Sequence, residues 1–137
     1  MTETRPPFVL FACVHNAGRS QMALGWFEHL ANGNAIAFSG GSAPADSVNP
    51  SAVAVMRETG IDISTRTPQR WTDELIERVD VVVTMGCGDE CPYFPGTRYE
   101  DWAVPDPAGL AVDEVRPIRD EIERRVRALL EELGLSS

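Results

Sequence analysis

The residues best suited to chemistry form one short segment: Cys13, Val14, His15, Asn16, Ala17, Gly18, Arg19 and Ser20. The segment follows a short apolar run at residues 8–12, typical of a buried strand, and precedes a stretch with helical periodicity at about residues 20–30. A loop between a strand end and a helix start directs backbone N–H groups at one point, where the helix dipole adds positive charge. The segment is therefore predicted to hold a tetrahedral oxyanion.

The side chains of this loop have complementary expected roles. The local field favours the thiolate of Cys13, which is the nucleophilic form of the residue. Arg19 offers a planar fork that can pair with two oxygens of the anion. Ser20 is placed to donate a hydrogen bond to the sulfur, Asn16 to keep the loop in shape, and Gly18 to permit its tight backbone. The residues predicted to bind the oxyanion are Val14, His15, Asn16, Ala17, Gly18, Arg19 and Ser20.

Two further cysteines, Cys87 and Cys91, come just after the β-branched run at residues 81–85. Because structural disulfides are rare in a reducing compartment, a transient catalytic bridge is the expected use of these thiols. His15 and the three cysteines could alternatively bind zinc, but this would consume the nucleophile and lacks the usual paired spacing. Because the dipoles of the loop already activate the sulfur, His15 is expected to line the loop, with a direct role as a base left open.

A carboxylic acid occurs late in the chain, in the dipeptide Asp106-Pro107 of the predicted loop 103–109. Brought over the oxyanion, this acid would be suited to protonating a departing oxygen. The same dipeptide is common in turns, so a purely structural turn is the alternative.

The remaining elements follow from periodicity and caps. We predict strands near residues 35–39 and 99–102, a helix at residues 72–78, and a helix that starts at Pro50 with Asn49 as its cap. Pro117 is expected in the first turn of the last helix, because a proline deeper inside would remove a backbone hydrogen bond. Alternation of strands and helices predicts a single α/β domain, residues 1–137, with a mostly parallel sheet between helices.

The net charge of the chain disfavours some classes of binding partner. With 21 acidic and 12 basic residues, the net charge is -9, which disfavours binding to nucleic acid or to an anionic membrane surface. No run of about 18 apolar residues and no secretion signal are recognised, so a cytoplasmic location is expected.

The pattern C-x5-R-S at the first strand, together with the late Asp-Pro, resembles the low-molecular-weight protein tyrosine phosphatase superfamily over essentially the whole chain. Its arsenate reductase branch matches more closely, through residues 16–23, 48–50, 61–64 and 106–109. A tyrosine phosphatase of this superfamily typically has an aromatic residue after Asp-Pro, whereas this chain has Ala108.

This resemblance implies a four-stranded parallel sheet in the order 2-1-3-4 and arsenate as the substrate. It also implies Cys13, Arg19 and Asp106 as catalytic residues and Cys87 and Cys91 as a redox relay, with thioredoxin or another dithiol as reductant. No cofactor is expected. No metal ion is expected either, because the positions that bind potassium in some relatives are Leu24 and Gln69 here.

Three questions stay open at this stage. The spacing of Cys87 and Cys91 is shorter than in thioredoxin-coupled relatives, so either cysteine could attack first. A phosphatase would need Cys13, Arg19 and Asp106 but neither later cysteine. A non-catalytic protein that binds arsenite or a metal through three thiolates would leave Arg19 and Asp106 without a role.

Overall fold

The computed structural model describes residues 6–85 and 97–135. Strands and helices follow one another in the order β1 (Phe8–Cys13), α1 (Arg19–Ala31), β2 (Ile36–Gly41), α2 (Pro50–Arg57), α3 (Asp73–Arg78), β3 (Val81–Thr84), β4 (Arg98–Asp101) and α4 (Val112–Glu132). The predicted elements are confirmed, with most boundaries shifted by one or two residues.

The four strands form a parallel sheet in the order β2-β1-β3-β4, which confirms the predicted fold class. β1 is one of the two inner strands, and its Ala12 lies opposite Gly40 of β2 and Thr84 of β3. Cys13 is the last residue of β1. Parallel strands all end at the same edge of a sheet, so the nucleophile lies at the edge where α/β proteins usually bind ligands.

Side chains of β1 are buried on both faces of the sheet. Val9 and Phe11 point into a core formed with α1, α2 and α4. Leu10 and Ala12 point into a second core, which includes Ile76 of α3. This explains why the strand reads as an uninterrupted apolar run, and it confirms that helices cover both faces.

The start of α4 differs from the prediction. The helix begins at Val112, so Pro117 lies inside it rather than in its first turn. The true first turn is stabilised by Glu114, whose carboxylate accepts from the N–H of Ala111 over 3.1 Å. Pro117 is exposed, as is Asp113 four residues earlier, so the carbonyl left without its helical partner can be solvated.

An apolar hollow of about 500 Å³ lies at the opposite end of the sheet from Cys13. Its lining residues are Phe8, Ile36, Phe38, Thr72, Glu74, Leu75 and Arg78. None of the predicted site residues that the structure describes lines this hollow, so it is not the candidate site. Within residues 6–85 and 97–135, no helix is long and apolar enough to cross a bilayer.

Candidate active site

The thiol of Cys13 is buried, with 2% of the residue exposed. Its sulfur lies 2.9 Å from the hydroxyl oxygen of Ser20. The backbone N–H of Asn16 also donates to this sulfur over 3.3 Å. Two polar groups of the loop therefore converge on the nucleophile.

The direction of these hydrogen bonds is determined by Asn16. The backbone N–H of Gln69 can only donate, so it fixes the group 2.9 Å away as the side-chain oxygen of Asn16. The side-chain nitrogen of Asn16 then donates to the hydroxyl of Ser20 over 2.7 Å. Because that hydroxyl accepts from Asn16, its own hydrogen is available to Cys13. The sulfur thus faces two donors, which is an environment that suits a thiolate.

The backbone of the loop is turned so that its carbonyl groups face away from the cleft. The carbonyl oxygens of Cys13, Val14, His15 and Ala17 accept from the N–H groups of Ser42, Ala43, Ala45 and Asn49 at 2.8–3.3 Å. Asn16 makes this path possible by adopting a left-handed conformation, with φ of 51°. Carbonyls directed outward leave the loop's N–H groups for the inner side, as an anion requires.

Two glutamines hold Asn16 in this conformation, and sequence reasoning did not assign either of them to the site. The side-chain nitrogen of Gln21 lies 3.0 Å from the carbonyl oxygen of Asn16 and 3.1 Å from its side-chain oxygen. The backbone N–H of Gln69 donates to the same side-chain oxygen of Asn16. The side-chain nitrogen of Gln69 in turn donates to the carbonyl of Ser39 over 3.1 Å. Gln21 is 1% exposed. The sequence signal that could have identified Gln21 is a polar amide next to the apolar residues Met22 and Ala23.

Arg19, the first residue of α1, connects the loop to the acid. Its guanidinium donates to the carbonyl of Val104 over 3.2 Å and lies 3.6 Å from a carboxylate oxygen of Asp106. The side chain of Arg19 is 11% exposed and that of Asp106 is 49% exposed. The acid therefore stands at the solvent side of the cleft and the arginine lies deeper.

The acid is carried by a well-defined turn. A side-chain oxygen of Asp106 accepts from the N–H of Ala108 over 3.0 Å. The N–H of Leu110 donates to the carbonyl of Pro107 over 3.0 Å, and Gly109 has a φ of 78°. These bonds hold the turn in one shape from the acid to the start of α4.

The cleft between the loop and the turn is small, about 30 Å³. Its lining residues are Cys13, His15, Ala17, Gly18, Arg19, Asn49, Asp106 and Ala108. The Nδ1 atom of His15 lies 3.1 Å from the carbonyl of Ala43, so this nitrogen carries a proton when it bonds there. The side chain of Asn49 accepts from the N–H groups of Ser51 and Ala52 and caps α2 as predicted.

The structure thus brings together Cys13, Arg19, Ser20 and Asp106. Cys87 and Cys91 lie outside the described residues. In the part of the chain that is described, no group of three or more His, Cys, Asp or Glu side chains could hold a metal ion.

Comparison with known proteins places the chain in a family. The family model described as low molecular weight phosphotyrosine protein phosphatase matches residues 8–136. Arsenate reductase 2 of Staphylococcus epidermidis is 37% identical over 124 residues, which cover 88% of this chain and 93% of that protein. Arsenate reductase of Halalkalibacterium halodurans is 38% identical over 133 residues, which cover 90% and 94%.

A solved structure supports the same family relationship. The thioredoxin-dependent arsenate reductase of Corynebacterium glutamicum superposes with a TM-score of 0.84 at 40% identity. The alignment covers 99% of this chain and 66% of that longer chain. A match to the family model over nearly the whole chain, with the nucleophile loop ending β1, shows that this chain belongs to the low molecular weight phosphotyrosine protein phosphatase family.

Proposed function

We propose that this chain reduces arsenate to arsenite and so detoxifies arsenic, with thioredoxin or another dithiol as the final reductant. The observation that carries the proposal is a buried Cys13 sulfur that faces two hydrogen-bond donors, below the pair formed by Arg19 and Asp106. The names and identities of the relatives support arsenate as the substrate. As a tetrahedral oxyanion, arsenate is suited to this loop.

In the first step the thiolate of Cys13 attacks the arsenic of monohydrogen arsenate, and the bond from arsenic to the hydroxyl oxygen breaks. The carboxyl group of Asp106 gives its proton to that hydroxyl group, which leaves as water. Arg19 and the inward N–H groups of the loop stabilise the charge on the remaining oxygens. The products are a covalent bond between the Cys13 sulfur and arsenic and an ionised Asp106.

The second step reduces arsenic by two electrons. The thiolate of Cys87 attacks the sulfur of Cys13, and the sulfur–arsenic bond breaks with its electron pair left on arsenic. Arsenite departs, and Cys13 and Cys87 are joined by a disulfide. Cys91 then attacks the sulfur of Cys87, which frees the Cys13 thiolate and leaves a Cys87–Cys91 disulfide for the external dithiol to reduce.

The described part of the sheet supports Cys87 as the first attacker. The N–H of Met85 donates to the carbonyl of Ala12 over 2.7 Å, so the chain leaves β3 beside the end of β1. Cys87 follows Met85 by two residues, which span at most about 7 Å of extended chain. Cys91 lies six residues after Met85, and attack by Cys91 first is the alternative order.

Arsenate-dependent oxidation of reduced thioredoxin tests the function directly. We expect turnover with thioredoxin, thioredoxin reductase and NADPH that stops when arsenate is omitted, and slower turnover in a parallel assay with a small-thiol system. A Cys87→Ser variant separates reduction from phosphatase chemistry, because a phosphatase has no use for Cys87. The proposal fails if this variant retains arsenate turnover, or if the parent protein hydrolyses aryl phosphates but does not reduce arsenate.

A further inference from the structure

The contact between Gly18 and Pro107 joins the oxyanion loop to the acid turn. A Cβ atom built on Gly18 would lie 2.5 Å from Cγ and 3.3 Å from Cδ of Pro107. Pro107 is buried, whereas Asp106, Ala108 and Gly109 around it are exposed. The proline ring thus lies in space that exists only because residue 18 has no side chain.

Gly18 is not in the left-handed conformation that favours glycine. Its φ is -125° and its ψ is -82°, whereas the left-handed region has a positive φ. Asn16, two residues earlier, is the loop residue with a positive φ. The space that residue 18 leaves for Pro107 is therefore a packing reason for glycine at this position.

Displacing Pro107 would also displace the acid. Asp106 is bonded directly to Pro107, whose ring fixes its own φ, and the hydrogen bond from Ala108 to the Asp106 carboxylate keeps the turn rigid. On the loop side, Gly18 is followed directly by Arg19, whose guanidinium contacts Val104 and Asp106. The oxyanion loop and the acid turn are therefore in contact at two successive loop residues, Gly18 and Arg19.

We propose that the ring of Pro107 packs directly against the backbone of Gly18, and that this contact sets the distance between Asp106 and the oxyanion. Gly18 is in this role a positioning residue for the acid. A methyl group at residue 18 would force the proline ring away by roughly 1 Å, because Cβ contacts below 3.0 Å are essentially absent from proteins. Proton transfer needs the acid within hydrogen-bonding distance of the departing oxygen, so the displaced Asp106 would protonate it poorly.

The test is a double-mutant cycle with Gly18→Ala and Pro107→Ala, since the second substitution removes the ring atoms that the new methyl would meet. In a crystal structure of Gly18→Ala, we expect the distance from Arg19 Nη2 to Asp106 Oδ2 to rise from 3.6 Å to more than about 4.5 Å. In the double variant it should return to the parent value. Gly25→Ala, within α1, is the control for a closely packed methyl away from Pro107. Its Cβ would lie 3.1–3.3 Å from side-chain carbons of Ile63, Ile61 and Met56, and it should leave the distance unchanged.

Turnover gives the second readout, and this arm rests on the proposed function. We expect kcat for arsenate to fall about 30-fold in Gly18→Ala and to recover to within about threefold of the Pro107→Ala single variant when the two are combined. A merely damaged loop would not be rescued by removing a proline. If Gly18→Ala does not fold, recovery of folding in the double variant supports the contact in the same way.

Unchanged acid position in Gly18→Ala, or absence of any rescue by Pro107→Ala, would overturn the proposal. The structural readout does not depend on arsenate chemistry. A parent protein without arsenate turnover would therefore refute the proposed function, and the crystal structures would still decide the role of Gly18.

Discussion

The side-chain nitrogen of Asn16 donates to the hydroxyl oxygen of Ser20 over 2.7 Å, and this single bond directs the hydroxyl hydrogen towards Cys13. Asn16 is itself oriented by the backbone N–H of Gln69 and by the side chain of Gln21. These groups therefore form a series of hydrogen bonds that ends with donation to the nucleophilic sulfur. The donor nearest to the sulfur is a side-chain hydroxyl, so it can be removed without changing the loop backbone.

Ser20→Ala removes that donor. We expect the rate of Cys13 alkylation by iodoacetamide at a fixed pH to fall by about fivefold, because the thiolate loses one of two hydrogen bonds. Cys87 and Cys91 are replaced by serine in both proteins so that only Cys13 reacts. Ser47→Ala is the matched control, since Ser47 is exposed. An unchanged alkylation rate in Ser20→Ala would show that the hydroxyl does not stabilise the thiolate.

Arg19→Lys tests the planar fork. One ammonium group cannot make the two parallel hydrogen bonds of a guanidinium, and it would also lose the bond to the carbonyl of Val104. We expect kcat/KM for arsenate to fall by about 100-fold, measured by coupled thioredoxin oxidation. Arg78→Lys on α3, far from the cleft, should be within about twofold of the parent. Near-parent turnover of Arg19→Lys contradicts the assigned geometry.

Asp106→Asn tests the acid. Asparagine keeps the shape of the side chain but has no proton to give, so the first chemical step should slow by about 100-fold or more. Rapid-quench measurement of the covalent arsenic adduct in a Cys87→Ser background isolates this step. The affinity for inorganic phosphate, measured by its protection of Cys13 from alkylation, serves as a comparison. An equal rate of adduct formation in both proteins would move the acid elsewhere.

The order of the relay is tested with a Cys91→Ser variant. Without Cys91 the reaction should stop after the first disulfide, because no second thiolate is available for exchange. Treatment with arsenate followed by peptide mapping should show a Cys13–Cys87 bridge together with one equivalent of arsenite. A variant that binds arsenate but gives no such bridge would favour Cys91 as the first attacker.

A surface cluster between α2 and α4 gives a pH prediction. Hydrogen bonds and charge from Arg116, and also from Arg119, lower the pKa of Glu58 from 4.5 to about 2. The ionised Glu58 therefore stabilises the fold at pH values above its ordinary pKa, and this contribution is lost as the pH falls towards 2. We expect Glu58→Gln to lower the urea midpoint at pH 7, with the difference from the parent shrinking between pH 4.5 and 2. A difference independent of pH would contradict the ion-pair origin.

Much of the secondary structure could be predicted because it depends on local sequence patterns. The apolar run before Cys13, the helical period after Arg19 and the cap at Asn49 each follow from rules that act within a few residues. The predicted start of α4 was wrong, because an exposed proline can lie inside a helix when the carbonyl that it leaves unpaired is solvated.

Contacts between distant segments could not be predicted from local patterns. The hydrogen bond from Gln69 to Asn16 spans 53 positions, and the space that Gly18 leaves for Pro107 is defined by packing rather than by sequence spacing. The relay formed by Cys87 and Cys91 remains a prediction from the resemblance, since both residues lie outside the described part of the chain.

The two halves of the site also differ in how far along the chain their contacts reach. Among the described residues, those that make the hydrogen bonds shaping the oxyanion loop lie no later than Gln69, whereas Arg19 reaches across 85 positions to Val104, beside the acid turn. Substitutions in the acid turn therefore leave the hydrogen bonds that shape the oxyanion loop in place, so the proton donor can be altered without altering the fold of the loop.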